Sequence, residues 1–135
     1  PYMLEEEIFC LKKMGIIPVI AHIERYPYLL DRLEIIYEWA QRGTVIQANA
    51  DSFMGKQGKL LLKLVRWNMV HVIATDCHSS KKRPPKMEKA LQLIERKLGK
   101  KYADGLSENA ECIFRDEDID TQPLHMPRKV LGTWL

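Results

Sequence analysis

"VHVIATDCHSSKKRPP" (Val70–Pro85) decides how the chain is read. Its first half, Val70 to Ala74, is a short apolar run rich in β-branched residues, of strand length and of the composition of a strand buried on both faces. It stops at Asp76 and His78, continues through the cationic Lys81, Lys82 and Arg83, and reaches Pro84-Pro85, where proline's fixed φ suits a helix start. Met87, Ala90, Leu91, Ile94 and Leu98 then recur at helical spacing, and Gly99 closes the helix. The stretch is therefore a strand, a polar loop and a helix, with a carboxylate and an imidazole at the strand's carboxyl end.

The same unit recurs upstream. Residues 3–14 predict a helix ended by Gly15, and "IIPVIAH" (16–22) predicts a strand whose proline belongs near its start or on an edge. Leu30, Leu33, Ile36, Tyr37 and Ala40 predict a helix with Asp31 as its cap and Gly43 at its end. "TVIQANA" (44–50) predicts a second strand, and 56–67 a helix. The order is α-βα-βα-βα, with strands about 27 residues apart, which implies parallel pairing in an α/β sheet or barrel. Such folds bind ligands at the carboxyl ends of their strands. Here those ends carry His22, then Asn49 and Asp51, then Asp76 and His78. After a short helix in "DGLSENAECIF", residues 121–135 read as an irregular tail.

The bulk numbers set limits. A chain of 135 residues suits one core, and 46% apolar residues are enough to build it. No apolar run approaches the ~18 residues of a membrane span. The opening "PYMLEEEIF" is acidic and amphipathic and does not read as a signal peptide. A net charge of +3 is accounted for by lysines on helix faces, so no nucleic-acid partner is expected. Three widely separated cysteines fit neither a zinc nor a disulfide spacing and point to a reducing, cytoplasmic setting.

Asp76 and His78 are two apart at a strand end, so both point to one face while Cys77 points away. An oxygen and a nitrogen side by side suit Mn²⁺, Fe²⁺ or Zn²⁺, and His22 at a neighbouring strand end can add a second nitrogen. A lone D-x-H is also what a capping Asp beside a surface His looks like. His71, inside the strand, reads as a core residue, and His125 as a solvated one. Arg25 and Arg83 leave the same rim, and guanidinium forks suit phosphate oxygens; each is equally a surface arginine in an ion pair, Arg25 with Glu24. A different chemistry is spelled by Cys77 and Arg83, the C-x5-R of cysteine-dependent phosphatases. Against it, "HSSKK" has no glycine to wrap a phosphate, Pro84 and Pro85 have no N–H to donate, and His22, Asp76 and His78 go unused.

Taken together, "PVIAHIERYP", "VIQANADSFMGKQG", "VHVIATDCHSSKKRP" and "LSENAECIFRDEDI" resemble the bacterial PHP-domain protein-tyrosine phosphatases of capsule and exopolysaccharide operons, from about Glu5 to Ile119. The resemblance implies a distorted (βα)7 TIM-like barrel with parallel strands, of which residues 1–120 are the C-terminal part. It implies a metal centre, usually Mn²⁺ and otherwise Fe²⁺, Zn²⁺ or Mg²⁺, with His22, Asp76 and His78 as ligands and Arg25 and Arg83 binding phosphate. It also implies, as substrate, the phosphorylated tyrosine-rich tail of a cognate kinase of the polysaccharide export machinery. Ile23 and Thr75 stand where the family often has Pro and Ser. The family's H-x-H strand and its further ligands are absent, so a C-terminal portion is expected, one that alone binds metal weakly and turns over little substrate. Histidinol-phosphate hydrolysis, nuclease activity, or a non-catalytic remnant docking an anionic partner through Lys81–Arg83 are the alternatives.

Overall fold

The structure, a computed structural model, describes residues 2–75 and 86–135. Helix α1 (Tyr2–Lys13) leads to strand β1 (Val19–Ile20). A 3-10 turn (Ile23–Arg25) and helices α2 (Pro27–Leu30) and α3 (Leu33–Gln41) connect it to β2 (Val45–Asn49). A second 3-10 turn (Ala50–Met54) and α4 (Gly58–Arg66) precede β3 (Val72–Ala74), and α5 (Lys86–Leu98) and α6 (Lys100–Phe114) follow. The three strands form one parallel sheet in the order β1-β2-β3. Val19 pairs with Val45 and Ile20 with Ile46, while Gln47, Ala48 and Asn49 pair with Val72, Ile73 and Ala74.

One local device returns the chain from helix to strand. Gly15, Gly43 and Asn68 all adopt positive φ, at 75°, 85° and 54°. In each case the following N–H reaches back five residues: Ile16 to the Leu11 carbonyl, Thr44 to Trp39 and Met69 to Leu64, at 2.8–3.0 Å. This left-handed closure satisfies carbonyls that the helix end would strand, and it points the chain back along the sheet. Asp116 ends α6 the same way, with Glu117 N–H on the Cys112 carbonyl at 2.8 Å.

All five residues of β2 are buried. Ile23, Leu29, Leu33 and Ile36 pack from one side of the sequence, Leu61, Leu64, Met69 and Ile94 from the other, into one core with Ile46. His71 belongs to that core as expected. It is fully buried; its Nδ1 accepts the Ile46 N–H at 2.9 Å, and its Nε2 meets the Asn68 carbonyl at 3.0 Å.

Four expectations are corrected. The strand expected over 16–22 pairs only at Val19–Ile20, because Pro18 has no N–H and His22 turns out of the sheet. The strand expected over Val70–Thr75 contracts to Val72–Ala74. Asp31 does not cap a helix at Leu33. Pro27 starts α2 early, Asp31 closes it with its N–H on the Pro27 carbonyl at 3.0 Å, and the residue before α3 is Arg32, whose side chain makes no cap bond. The segment read as an irregular tail carries a hairpin, β4 (Lys129–Val130) with β5 (Thr133–Trp134). Its two loop residues, Leu131 and Gly132, both have positive φ, at 48° and 77°, the geometry that matches the twist of a two-residue hairpin. The tail is tied down along its length: Thr121 Oγ1 donates to the Ala40 carbonyl at 2.8 Å, Leu124 N–H to Trp67 at 3.0 Å, and Trp134 Nε1 to Leu30 at 3.1 Å. His125, though exposed, rests edge-on against the Trp67 ring, centroids 5.1 Å apart.

Candidate metal and phosphate site

Because the strands are parallel, the carboxyl ends of β1, β2 and β3 share one rim. Just past β1, His22 adopts left-handed backbone angles (φ 55°, ψ 52°). A non-glycine residue there is uncommon and must be held by its surroundings. The hold comes from β2, where Gln47 Oε1 accepts the His22 N–H at 2.8 Å. The turn opens the 3-10 segment that carries Glu24 and Arg25.

Glu24 is buried, and its neighbours fix it at both ends. Its Oε2 accepts the Asn49 N–H at 3.2 Å, and its backbone carbonyl accepts from Gln57 Nε2 at 3.0 Å. The remaining oxygen, Oε1, stands 3.6 Å from His22 Nδ1. Both atoms are buried and neither has a hydrogen-bond partner among the described residues. His22 keeps about a quarter of its side-chain surface exposed. Arg25 is exposed at the end of the same turn, on the loop leaving β1.

At the end of β2, Asn49 Oδ1 accepts the Asp51 N–H at 3.3 Å. Asp51 Oδ2 pairs with Lys86 Nζ, from the first turn of α5, while Oδ1 is buried without a partner among the described residues. Among the described residues, the rim between β1 and α5 thus holds one imidazole and two carboxylates with three buried polar atoms that lack a partner there. Nitrogen and carboxylate oxygen are the donors that a first-row divalent cation takes, so the residues fit such an ion as part of a larger set. Among the described residues, no three His, Cys, Asp or Glu side chains are grouped so as to hold an ion by themselves.

Of the residues singled out from sequence, the structure places His22 and Arg25 three apart at one rim. Asp76, Cys77, His78 and Arg83, with Lys81, Lys82, Pro84 and Pro85, lie outside the described residues. Glu24 is a site residue that the sequence offers only as an ion-pair partner for Arg25. The signal was a carboxylate two residues beyond a strand-end histidine and flanked by the apolar Ile23, but its burial depends on Asn49 and Gln57, 25 and 33 residues away.

A family described as capsular polysaccharide synthesis, CpsB/CapC, matches residues 2–115. Among curated proteins, "Tyrosine-protein phosphatase YwqE" of Bacillus subtilis (strain 168) is 34% identical over 127 residues, covering 91% of this chain and 50% of its own length. "Putative tyrosine-protein phosphatase CapC" of Staphylococcus aureus is 33% identical over 128 residues, covering 90% and 49%. "Tyrosine-protein phosphatase CpsB" of Streptococcus pneumoniae is 36% identical over 116 residues, covering 78% and 48%. Among solved structures, one from a study of YwqE from Bacillus subtilis and CpsB from Streptococcus pneumoniae, described as "unique metal-dependent tyrosine phosphatases", superposes with a TM-score of 0.83 at 31% identity. The superposition covers 95% of this chain and 54% of that one. The chain spans about half the length of the relatives it matches, and its parallel α/β architecture is that of part of their barrel.

Proposed function

The chain belongs to the capsular polysaccharide synthesis CpsB/CapC family, and from that membership we propose that it forms part of a metal-dependent protein-tyrosine phosphatase. The observation that carries the reading is the end of β1, where a strained, partly exposed His22 and an exposed Arg25 sit on one turn beside buried polar atoms without hydrogen-bond partners among the described residues. His22, Asp76 and His78 would hold the cation, with manganese the first choice and iron, zinc or magnesium also compatible with the donors. When bound, such an ion would lower the pKa of a bound water, so that hydroxide is available as the nucleophile near neutral pH.

The other residues bind and orient. Arg25 and Arg83 grip the phosphoryl oxygens through guanidinium forks and offset their charge as the ester bond breaks. The tyrosine phenolate, with an ordinary pKa near ~10, leaves with little acid assistance. Cys77 is assigned no part, because a cysteine mechanism would leave His22, Asp76 and His78 unused. The substrate is a phosphotyrosine segment of a capsule or exopolysaccharide kinase, consistent with the family's role in capsular polysaccharide synthesis.

The test is hydrolysis of a phosphotyrosine peptide by the protein that carries this chain, beside histidinol phosphate and single-stranded DNA. Turnover of the peptide that EDTA stops, iodoacetamide spares, Asp76→Ala abolishes and Cys77→Ser tolerates is the expected pattern. Loss to iodoacetamide with survival in EDTA would move the chemistry to Cys77. Preference for either other substrate would reject phosphotyrosine.

A further inference from the structure

We propose that Glu24 is the positioning residue for His22: its carboxylate holds the imidazole as the Nδ1–H tautomer, leaving Nε2 as the nitrogen available to a metal ion. The proposal rests on the reading of His22 as a ligand. Two observations carry it. His22 Nδ1 and Glu24 Oε1 are both buried, both without a hydrogen-bond partner among the described residues, and 3.6 Å apart. Both residues are also clamped by β2, His22 through Gln47 Oε1 on its N–H and Glu24 through the Asn49 N–H on Oε2. Gln47 acts through its side chain and Asn49 through its backbone N–H, two residues apart on β2, so a single strand sets the spacing of the pair.

The chemistry follows from donor and acceptor capacity. A carboxylate oxygen only accepts, and a bare imidazole nitrogen only accepts. Two buried acceptors facing each other repel, whereas a proton on Nδ1 turns the contact into a bond after a small ring rotation. A neutral imidazole protonated at Nδ1 has its lone pair at Nε2. A carboxylate behind a ligating histidine fixes its tautomer and raises its basicity in this way.

The experiment exploits the second oxygen of Glu24. In Glu24→Gln the Asn49 N–H still needs an acceptor, so the amide oxygen stays on Asn49 and the amide NH₂ turns to His22. That reverses the polarity of the contact and drives the ring to Nε2–H. Long-range ¹H–¹⁵N correlation spectra of the metal-free protein read the tautomer directly. The expected result is Nδ1–H for His22 in the wild type and Nε2–H in Glu24→Gln. Manganese alone, titrated against the loss of the free-ion EPR signal, should bind the variant about 10- to 100-fold more weakly. A wild-type His22 protonated at Nε2, or an unchanged tautomer in a folded Glu24→Gln, overturns the proposal. The wild-type spectrum decides it alone if the variant does not fold. A tautomer switch with unchanged manganese affinity upholds the positioning contact and overturns instead the reading of His22 as a ligand.

Discussion

The imidazole of His71 occupies a place in the sheet that a carbonyl would otherwise fill: its Nδ1 accepts the amide N–H of Ile46 on the neighbouring strand at 2.9 Å, while the His71 N–H donates to the Ile46 carbonyl at 2.9 Å. Nε2 completes the arrangement by donating to Asn68, and burial pushes the ring's pKa down from 6.5 to about 4, only partly offset by that bond. The unfolded chain therefore takes up a proton near pH 6.5 that the folded chain refuses until about pH 4. Stability from this group is complete above pH 6.5 and is lost as pH falls towards 4, by about 3 kcal/mol in all. Urea midpoints measured from pH 7.5 to 4.5 should fall for the wild type. His71→Gln should be less stable at pH 7.5, with a gap to wild type that narrows on acidification. A gap independent of pH would show that His71 is not buried as a neutral ring.

Gly58 opens α4 against the preceding 3-10 turn. A Cβ there would fall on the Phe53 carbonyl oxygen and within 2.9 Å of the carbonyl carbon. Because the obstruction is backbone, no side-chain rotation relieves it. Gly58→Ala should destabilise by about 1–3 kcal/mol, the range for forced overpacking, despite alanine's better helix propensity. Gly105, within α6, has nothing among the described residues within 4 Å of an added Cβ, and Gly105→Ala should stabilise by up to about 1 kcal/mol. Denaturant midpoints of the two variants, compared with wild type, check both signs.

Thr121 anchors the last segment to α3 through its hydroxyl on the Ala40 carbonyl, and it is buried there. Thr121→Val keeps the shape and removes the donor. A loss of about 1 kcal/mol is expected, the net worth of one hydrogen bond, with Thr121→Ser retaining most of it. Amide hydrogen exchange should show the loss first at Leu124 and along the hairpin. Protection unchanged there would mean that the Trp134–Leu30 bond holds the segment without Thr121.

From the proposed phosphate role, Arg25→Lys in the protein that carries this chain should raise KM for a phosphotyrosine peptide and lower kcat, since an ammonium cannot make the two-pronged contact. Metal content, measured by atomic emission, should not change. Arg83→Ala should weaken phosphate and vanadate binding with the metal equally retained. A variant that loses its metal would place that arginine with the ligands instead.

Hydrophobic patterning made the α-β alternation legible, because 3.6-residue repeats mark helices with one buried face and short apolar runs mark strands buried on both, and the spacing of the strands then implied parallel pairing. Gly15, Gly43 and Gly99 likewise announced helix ends, since positive φ is easy for glycine. Asn68 and Asp116 make the same closure without glycine, and nothing local distinguishes them from solvated polar residues. The site divides in the same way. Strand-end placement of His22 and Arg25 follows from the order of elements. The burial of Glu24, the left-handed turn at His22 and the pinning of both by Gln47, Asn49 and Gln57 join residues 25 to 33 positions apart. A one-dimensional pattern records which residues are apolar and how they repeat. Which polar atoms lose their water, and which partner each one meets, depends on how distant segments pack, and only the tertiary structure decides it.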